Sequence, residues 1–144
     1  MDGRSRGYAD GYVVVTVVDT STWVDYFNGQ VTPATNALDD LLGRQEVIVG
    51  DLILTEVLQG FRQERHFRQA LRLFRAFPVL TMLGPDMAVR SAENYRALRR
   101  RGVTVRKTID IMIGTYCLAQ SYPLLYSDRD FDPMVRHLGL LSAL

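Results

Sequence analysis

The 144 residues include one cysteine, one lysine and two histidines, and each shortage removes a class of chemistry. The lone Cys117 excludes an intramolecular disulfide, as suits a reducing compartment such as the cytoplasm. With Ile113, Tyr116 and Leu118 around it, that thiol reads as buried and inert rather than nucleophilic. His66 and His137 stand in no metal-ligand spacing, which leaves no imidazole zinc site in the pattern. Both are expected at the surface or in packing. The lone lysine, Lys107, lies ahead of Asp110, whereas a phosphate-accepting receiver domain needs its lysine late in the chain. Long apolar runs are missing too. The longest near the start, from Tyr12 to Val18, is interrupted by Asp19, far short of the ~20 residues that span a bilayer. Arg4 and Arg6 ahead of it imitate a signal peptide, but no small-residue cleavage site follows. No membrane association is expected.

What remains is an ordinary globular composition, 47% apolar and 23% charged, at the length of one domain. Residues 1–12, polar and glycine-rich, read as a flexible N-terminal arm, and residues 13–144 as a single folded domain. The net charge of +1 hides a division. Residues 57–109 hold twelve Arg or Lys against three acids, a local charge of +9, and the rest holds five against thirteen, −8. Such a field steers a polyanion toward an acidic pocket, unless the charges are only solvated helix faces.

Strand and helix signals alternate. Val13–Val18 is a continuous β-branched run, the pattern of a strand covered on both faces. Thr20, Ser21 and Thr22 then cap a helix through Trp23 and Phe27. A helix opens at Thr32-Pro33 and stops at Gly43, a strand covers Val47–Val49, and a helix runs from Leu52 to Leu58. From Phe61 to Phe77, Phe67, Ala70, Leu71 and Phe74 recur at helical spacing, with arginines over much of the remainder. Pro78–Leu83 reads as a strand, Asp86–Arg101 and Thr108–Gln120 as helices, Pro123–Ser127 as a strand, and Phe131–Arg136 as a short helix. The alternation predicts an α/β fold, a three-layer α/β/α sandwich around a central parallel sheet.

In such sheets the functional crevice lies beyond the carboxyl ends of the strands. Asp19 ends the first strand, Glu56 rides the helix after the second, Asp110 opens the helix before the last strand, and Asp128 ends that strand. Each has a plain structural alternative; an aspartate in a first helical turn, for instance, complements the helix dipole. Together they imply more. Crowded carboxylates raise one another's pKa unless cations neutralise them, and an all-oxygen donor set suits Mg²⁺ or Mn²⁺ rather than zinc. The spacing Asp128-x-Asp130-x-Asp132 is not a calcium loop, which wants glycine and glutamate where Pro133 and Gly139 stand.

Four segments, Val17-Val18-Asp19-Thr20-Ser21, Leu54-Thr55-Glu56-Val57-Leu58, Thr108-Ile109-Asp110-Ile111-Met112 and Leu125-Tyr126-Ser127-Asp128-Arg129-Asp130, give the chain a pattern that resembles a PIN domain, and within that group the VapC toxins of bacterial toxin–antitoxin pairs. The arm ahead of the first strand departs from it. The resemblance implies a catalytic set Asp19, Glu56, Asp110, Asp128 and Asp130, with Asp19, Glu56, Asp110 and Asp128 as Mg²⁺ (or Mn²⁺) ligands. Asp130 would bind metal or orient a water, Thr20 or Ser21 would support Asp19, and Asp132 would lie outside the site as a turn or cap residue. The implied function is a metal-dependent endoribonuclease, hydrolysing phosphodiester bonds in tRNA or another structured RNA and restrained by a VapB-like antitoxin. A homodimer is implied as well. Arg62, Arg65, Arg100 and Arg106 are candidate RNA-backbone contacts, and Leu54, Leu58, Phe61 and Phe67 either line an antitoxin groove or pack in the core. The alternatives are an inactive PIN-like binding module and a DNA-directed nuclease of related fold.

Overall fold

The computed structural model describes residues 8–9, 12–13 and 15–144. Tyr8–Ala9 (β1) pairs antiparallel with Tyr12–Val13 (β2), and the remaining residues of the expected arm lie outside the described residues. The central sheet is made of Thr16–Val18 (β3), Val47–Gly50 (β4), Val79–Leu80 (β5) and Leu124–Leu125 (β6), in the order β5-β4-β3-β6. All its pairings are parallel, with Val17 opposite both Ile48 and Leu124. Burial of every residue in β3, β4 and β6 explains their apolar character, because a parallel sheet is covered on both faces.

Around the sheet stand Thr20–Phe27 (α1), Pro33–Gly43 (α2), Asp51–Gln59 (α3), Glu64–Phe74 (α4), Pro85–Arg100 (α5), Thr108–Gln120 (α6) and Asp132–Leu138 (α7). The α/β/α architecture is the one the sequence predicts. α2 opens with a reciprocal cap, in which Thr32 Oγ1 accepts from the Thr35 amide while Thr35 Oγ1 accepts from the Thr32 amide. α1 and α4 meet through aromatic rings, Trp23 lying edge-on to Phe74 at 4.8 Å between centroids. α6 is buried almost all round, from Asp110 through Cys117, which is why its sequence carries so little amphipathic pattern. At Gly114 a Cβ would collide with the thioether of Met134, so the glycine lets these two segments approach.

Four elements are shorter than expected, among them the strand expected over Pro123–Ser127, of which only Leu124–Leu125 pairs. The run Val13–Val18 supplies only Thr16–Val18 to the sheet; Val13 belongs to β2, and Val14 lies outside the described residues. Of Pro78–Leu83 only Val79–Leu80 enters the ladder, since proline has no amide hydrogen and the Met82 amide donates to Asp51 Oδ1 at 3.0 Å. The expected helix over 61–77 is trimmed to Glu64–Phe74. Gln63 ahead of it is extended, and the amides of Ala76 and Phe77 make tighter bonds to Leu73 and Phe74.

Candidate active site

Parallel pairing brings the carboxyl ends of β3 and β6 side by side, the Asp19 amide donating to the Leu125 carbonyl at 2.8 Å. Asp19 then N-caps α1. Its Oδ2 accepts from the Ser21 amide at 3.1 Å and the Ser21 hydroxyl at 2.7 Å. That hydroxyl in turn accepts from the amides of Ser127 and Asp128, at 3.1 and 3.2 Å. Ser21 therefore ties the end of the first sheet strand to the end of the last. Thr22 and Ser127 add a hydroxyl pair at 3.1 Å, and Thr20 donates to Glu56 Oε1 at 2.7 Å. The expected support from Thr20 or Ser21 is thus divided: Ser21 holds Asp19, and Thr20 holds Glu56.

Asp19, Thr20, Ser21, Glu56, Asp110 and Asp128 line one cleft of about 300 Å³ together with Lys107 and Asp25. Asp19 is 3% exposed and Asp110 4%. Burial raises the pKa of Asp19, the hydrogen bonds from Ser21 partly offset that rise, and the Glu56 charge adds to it. Asp110 is pushed up to about 7 by burial and then by Asp19, against the pull of Lys107, with Asp128 and Glu56 adding further repulsion. Asp19 Oδ1 and Asp110 Oδ2 are buried without a hydrogen-bond partner. Buried carboxylate oxygens left in that condition are costly, and a bound divalent cation would offset both the repulsion and the lost solvation. One carboxylate oxygen from each of Asp110, Asp128 and Asp130 also lies within 4.8 Å of the others. The all-oxygen donor set fits Mg²⁺ or Mn²⁺.

Asp128 N-caps the tight turn Arg129–Phe131, accepting from the Asp130 amide at 2.9 Å. Asp130 does not line the cleft; both its oxygens face Arg106, at 2.9 and 3.0 Å. Asp132 is the first residue of α7 and accepts from the Tyr126 hydroxyl at 2.8 Å, outside the cleft. His66 is exposed, His137 is half-buried, and neither reaches the site. Cys117 is buried, with its thiol pushed up to about 12, as expected of an inert group.

Two charged lining residues escaped the sequence reading as parts of the site, as did the apolar Val24. Lys107 lies three residues before Asp110, and its Nζ is 3.8 Å from Asp128 Oδ2. Asp25 stands four residues after Ser21, one helical turn along α1. Spacing of about one helical turn from the predicted site residues Ser21 and Asp110 would have pointed to both.

The arginines divide as well. Arg65, Arg68, Arg72 and Arg75 are exposed and fall in a sector about 80° wide at 3.6 residues per turn. Arg62 is exposed just ahead of them, and Arg68 pairs with Glu64 at 3.0 Å. Arg100 is exposed at the end of α5. Of the apolar candidates, Leu54, Leu58 and Phe61 pack half-buried against the core. Phe61 also borders a small groove with Val24, Phe27 and Val57.

Comparison with known proteins bears on the family and the fold. The chain is 29% identical over 129 residues to the VapC ribonuclease Mb1587 of Mycobacterium bovis and to Ribonuclease VapC11 of Mycobacterium tuberculosis, covering 88% of this chain and 96% of each of those proteins. Its fold is similar to that in VapBC2 from Rickettsia felis bound to a DNA fragment from their promoter (TM-score 0.71, 15% identity, 90% of this chain and 97% of that one). FitAcB from Neisseria gonorrhoeae is similar too (TM-score 0.66, 15% identity, 89% and 96%). The PIN-domain family pattern matches residues 16–136, and the chain belongs to the PIN-domain family.

Proposed function

We propose that this protein is a divalent-metal-dependent endoribonuclease, the toxin of a toxin–antitoxin pair. One observation carries the reading: two buried carboxylate oxygens, Asp19 Oδ1 and Asp110 Oδ2, lack any partner in a cleft that Glu56 and Asp128 also line. Asp19, Asp110, Glu56 and Asp128 are the residues that would hold the cation, Mg²⁺ or Mn²⁺. When bound, it supplies Lewis acidity, easing deprotonation of an attacking water and offsetting charge on the scissile phosphate. The chain's own part is positioning. Ser21 and Thr20 fix the rotamers of Asp19 and Glu56, and Lys107 adds a positive charge at the cleft wall. Hydrolysis of this kind leaves 3′-hydroxyl and 5′-phosphate ends.

RNA as substrate is supported by the names of the similar mycobacterial proteins and by the arginine row on α4, suited to a sugar–phosphate backbone. Structured RNA such as tRNA is the target class we assign. A VapB-like antitoxin is the partner, on the precedent of the VapBC complexes that share the fold, and a homodimer is the assembly.

Purified protein incubated with total RNA and Mg²⁺ tests the reading, beside an EDTA control and folded Asp19→Asn and Asp110→Asn variants. Discrete cleavage by the wild type alone is the expected result. Equal cleavage by the variants, or none by antitoxin-free wild type under Mg²⁺ or Mn²⁺, overturns it.

A further inference from the structure

The acids near the cleft fall into two groups. Asp19 and Asp110 each keep a buried oxygen with no hydrogen-bond partner, whereas each oxygen of Asp130 accepts from Arg106 Nη2, at 2.9 and 3.0 Å. Asp130 does not line the cleft, although one of its oxygens comes within 4.8 Å of oxygens on Asp110 and Asp128. A divalent cation on that oxygen would have to share it with a guanidinium, and two cations on one carboxylate repel.

Arg106 is placed for another task. It sits in the loop between α5 and α6, beside buried Val105 and directly before Lys107, which does line the cleft. Its side chain is 75% exposed while that of Asp130 is 19% exposed. Only Nη2 of the guanidinium is engaged with Asp130, which leaves the donors of Nη1 and Nε available on an exposed side chain. A free arginine loses rotamer entropy when it grips a ligand, and one already held by a carboxylate has lost part of it beforehand.

We propose that Asp130 serves this site as the anchor of Arg106 rather than as a metal ligand, and that Arg106, held at the rim, grips a phosphate of the bound RNA. The inference rests on the RNA reading above. It makes Asp130 a positioning residue and separates it from the metal-holding acids Asp19, Glu56, Asp110 and Asp128.

Two measurements on the full chain test it. Mn²⁺ affinity is measured by calorimetry, and affinity for a short fluorescent single-stranded RNA in Ca²⁺, with the RNA checked to be intact afterwards, by anisotropy. Arg106→Gln and Asp130→Asn should each weaken RNA binding by about tenfold, the size expected for one charge-assisted contact. The double variant should be no worse than either single one, and Mn²⁺ affinity should stay within about threefold throughout. If the wild type binds RNA but Asp130→Asn loses tenfold or more in Mn²⁺ affinity, or Arg106→Gln binds RNA as the wild type does, the anchor is overturned and the RNA reading stands. Failure of the wild type itself to bind RNA overturns both.

Discussion

At the residue scale, Ser21 does the most with the fewest atoms. Its hydroxyl donates to Asp19 and accepts two amides from the far end of the chain, so Ser21→Ala leaves a carboxylate and two amides short of partners. We expect metal affinity, read by calorimetry, to drop about tenfold or more. Asp110 gives a pH signature. Its folded pKa of about 7 exceeds its ordinary 3.8, so the folded chain binds more protons than the unfolded one between those values. Without metal, the contribution of Asp110 to stability is fully present below about pH 4 and is lost as pH rises through about 7. In EDTA the melting temperature should decline across that window, Mg²⁺ should restore more of it at pH 8 than at pH 5, and Asp110→Asn should flatten the decline. Asp19, Asp110 and Asp128 were legible in the sequence because strand ends and first helical turns can be read from apolar patterns, and Glu56, in the middle of α3, chiefly through the family resemblance. Ser21's second role and the Arg106–Asp130 pair were not, since both join segments brought together only by the fold.

At the scale of elements, the sequence placed every helix and every strand of the central sheet in order but not the β1–β2 pair, and the departures among the former lie in their lengths. A β-branched run shows what fits a sheet, but the ladder ends where a neighbour ends, and neighbours are invisible in a single run. Hence β3 keeps three residues and β5 two. Helix termini were clearer wherever a side chain closes them. The Thr32–Thr35 cap on α2 borders no part of the cleft. Thr32→Ala should therefore cost about 1 kcal/mol in chemical denaturation and leave RNA cleavage by the folded protein unchanged. Reduced cleavage would mean that α2 influences the site through α1, against which it packs.

At the scale of the whole molecule, a nearly neutral protein keeps its two signs of charge apart: acids gather where β3 and β6 end, and the exposed arginines of α4 form a row. If that row follows RNA, the quadruple variant Arg65→Gln, Arg68→Gln, Arg72→Gln and Arg75→Gln should flatten the plot of log affinity against log salt. The expected change is about 0.7 per lost phosphate contact on a single strand, measured by anisotropy titrations at several salt concentrations. An unchanged slope would assign the row to another partner. Strand order carries a different consequence, one of timing. Asp19 directly follows the first strand of the central sheet to be synthesised, and its cleft partner Asp128 follows the last, tethered through a serine hydroxyl across more than a hundred residues. Non-local parallel pairings of this kind form late. A nascent chain therefore lacks the complete acidic cleft until β6 has left the ribosome and docked beside β3, and any activity that needs all four acids has to wait for that step.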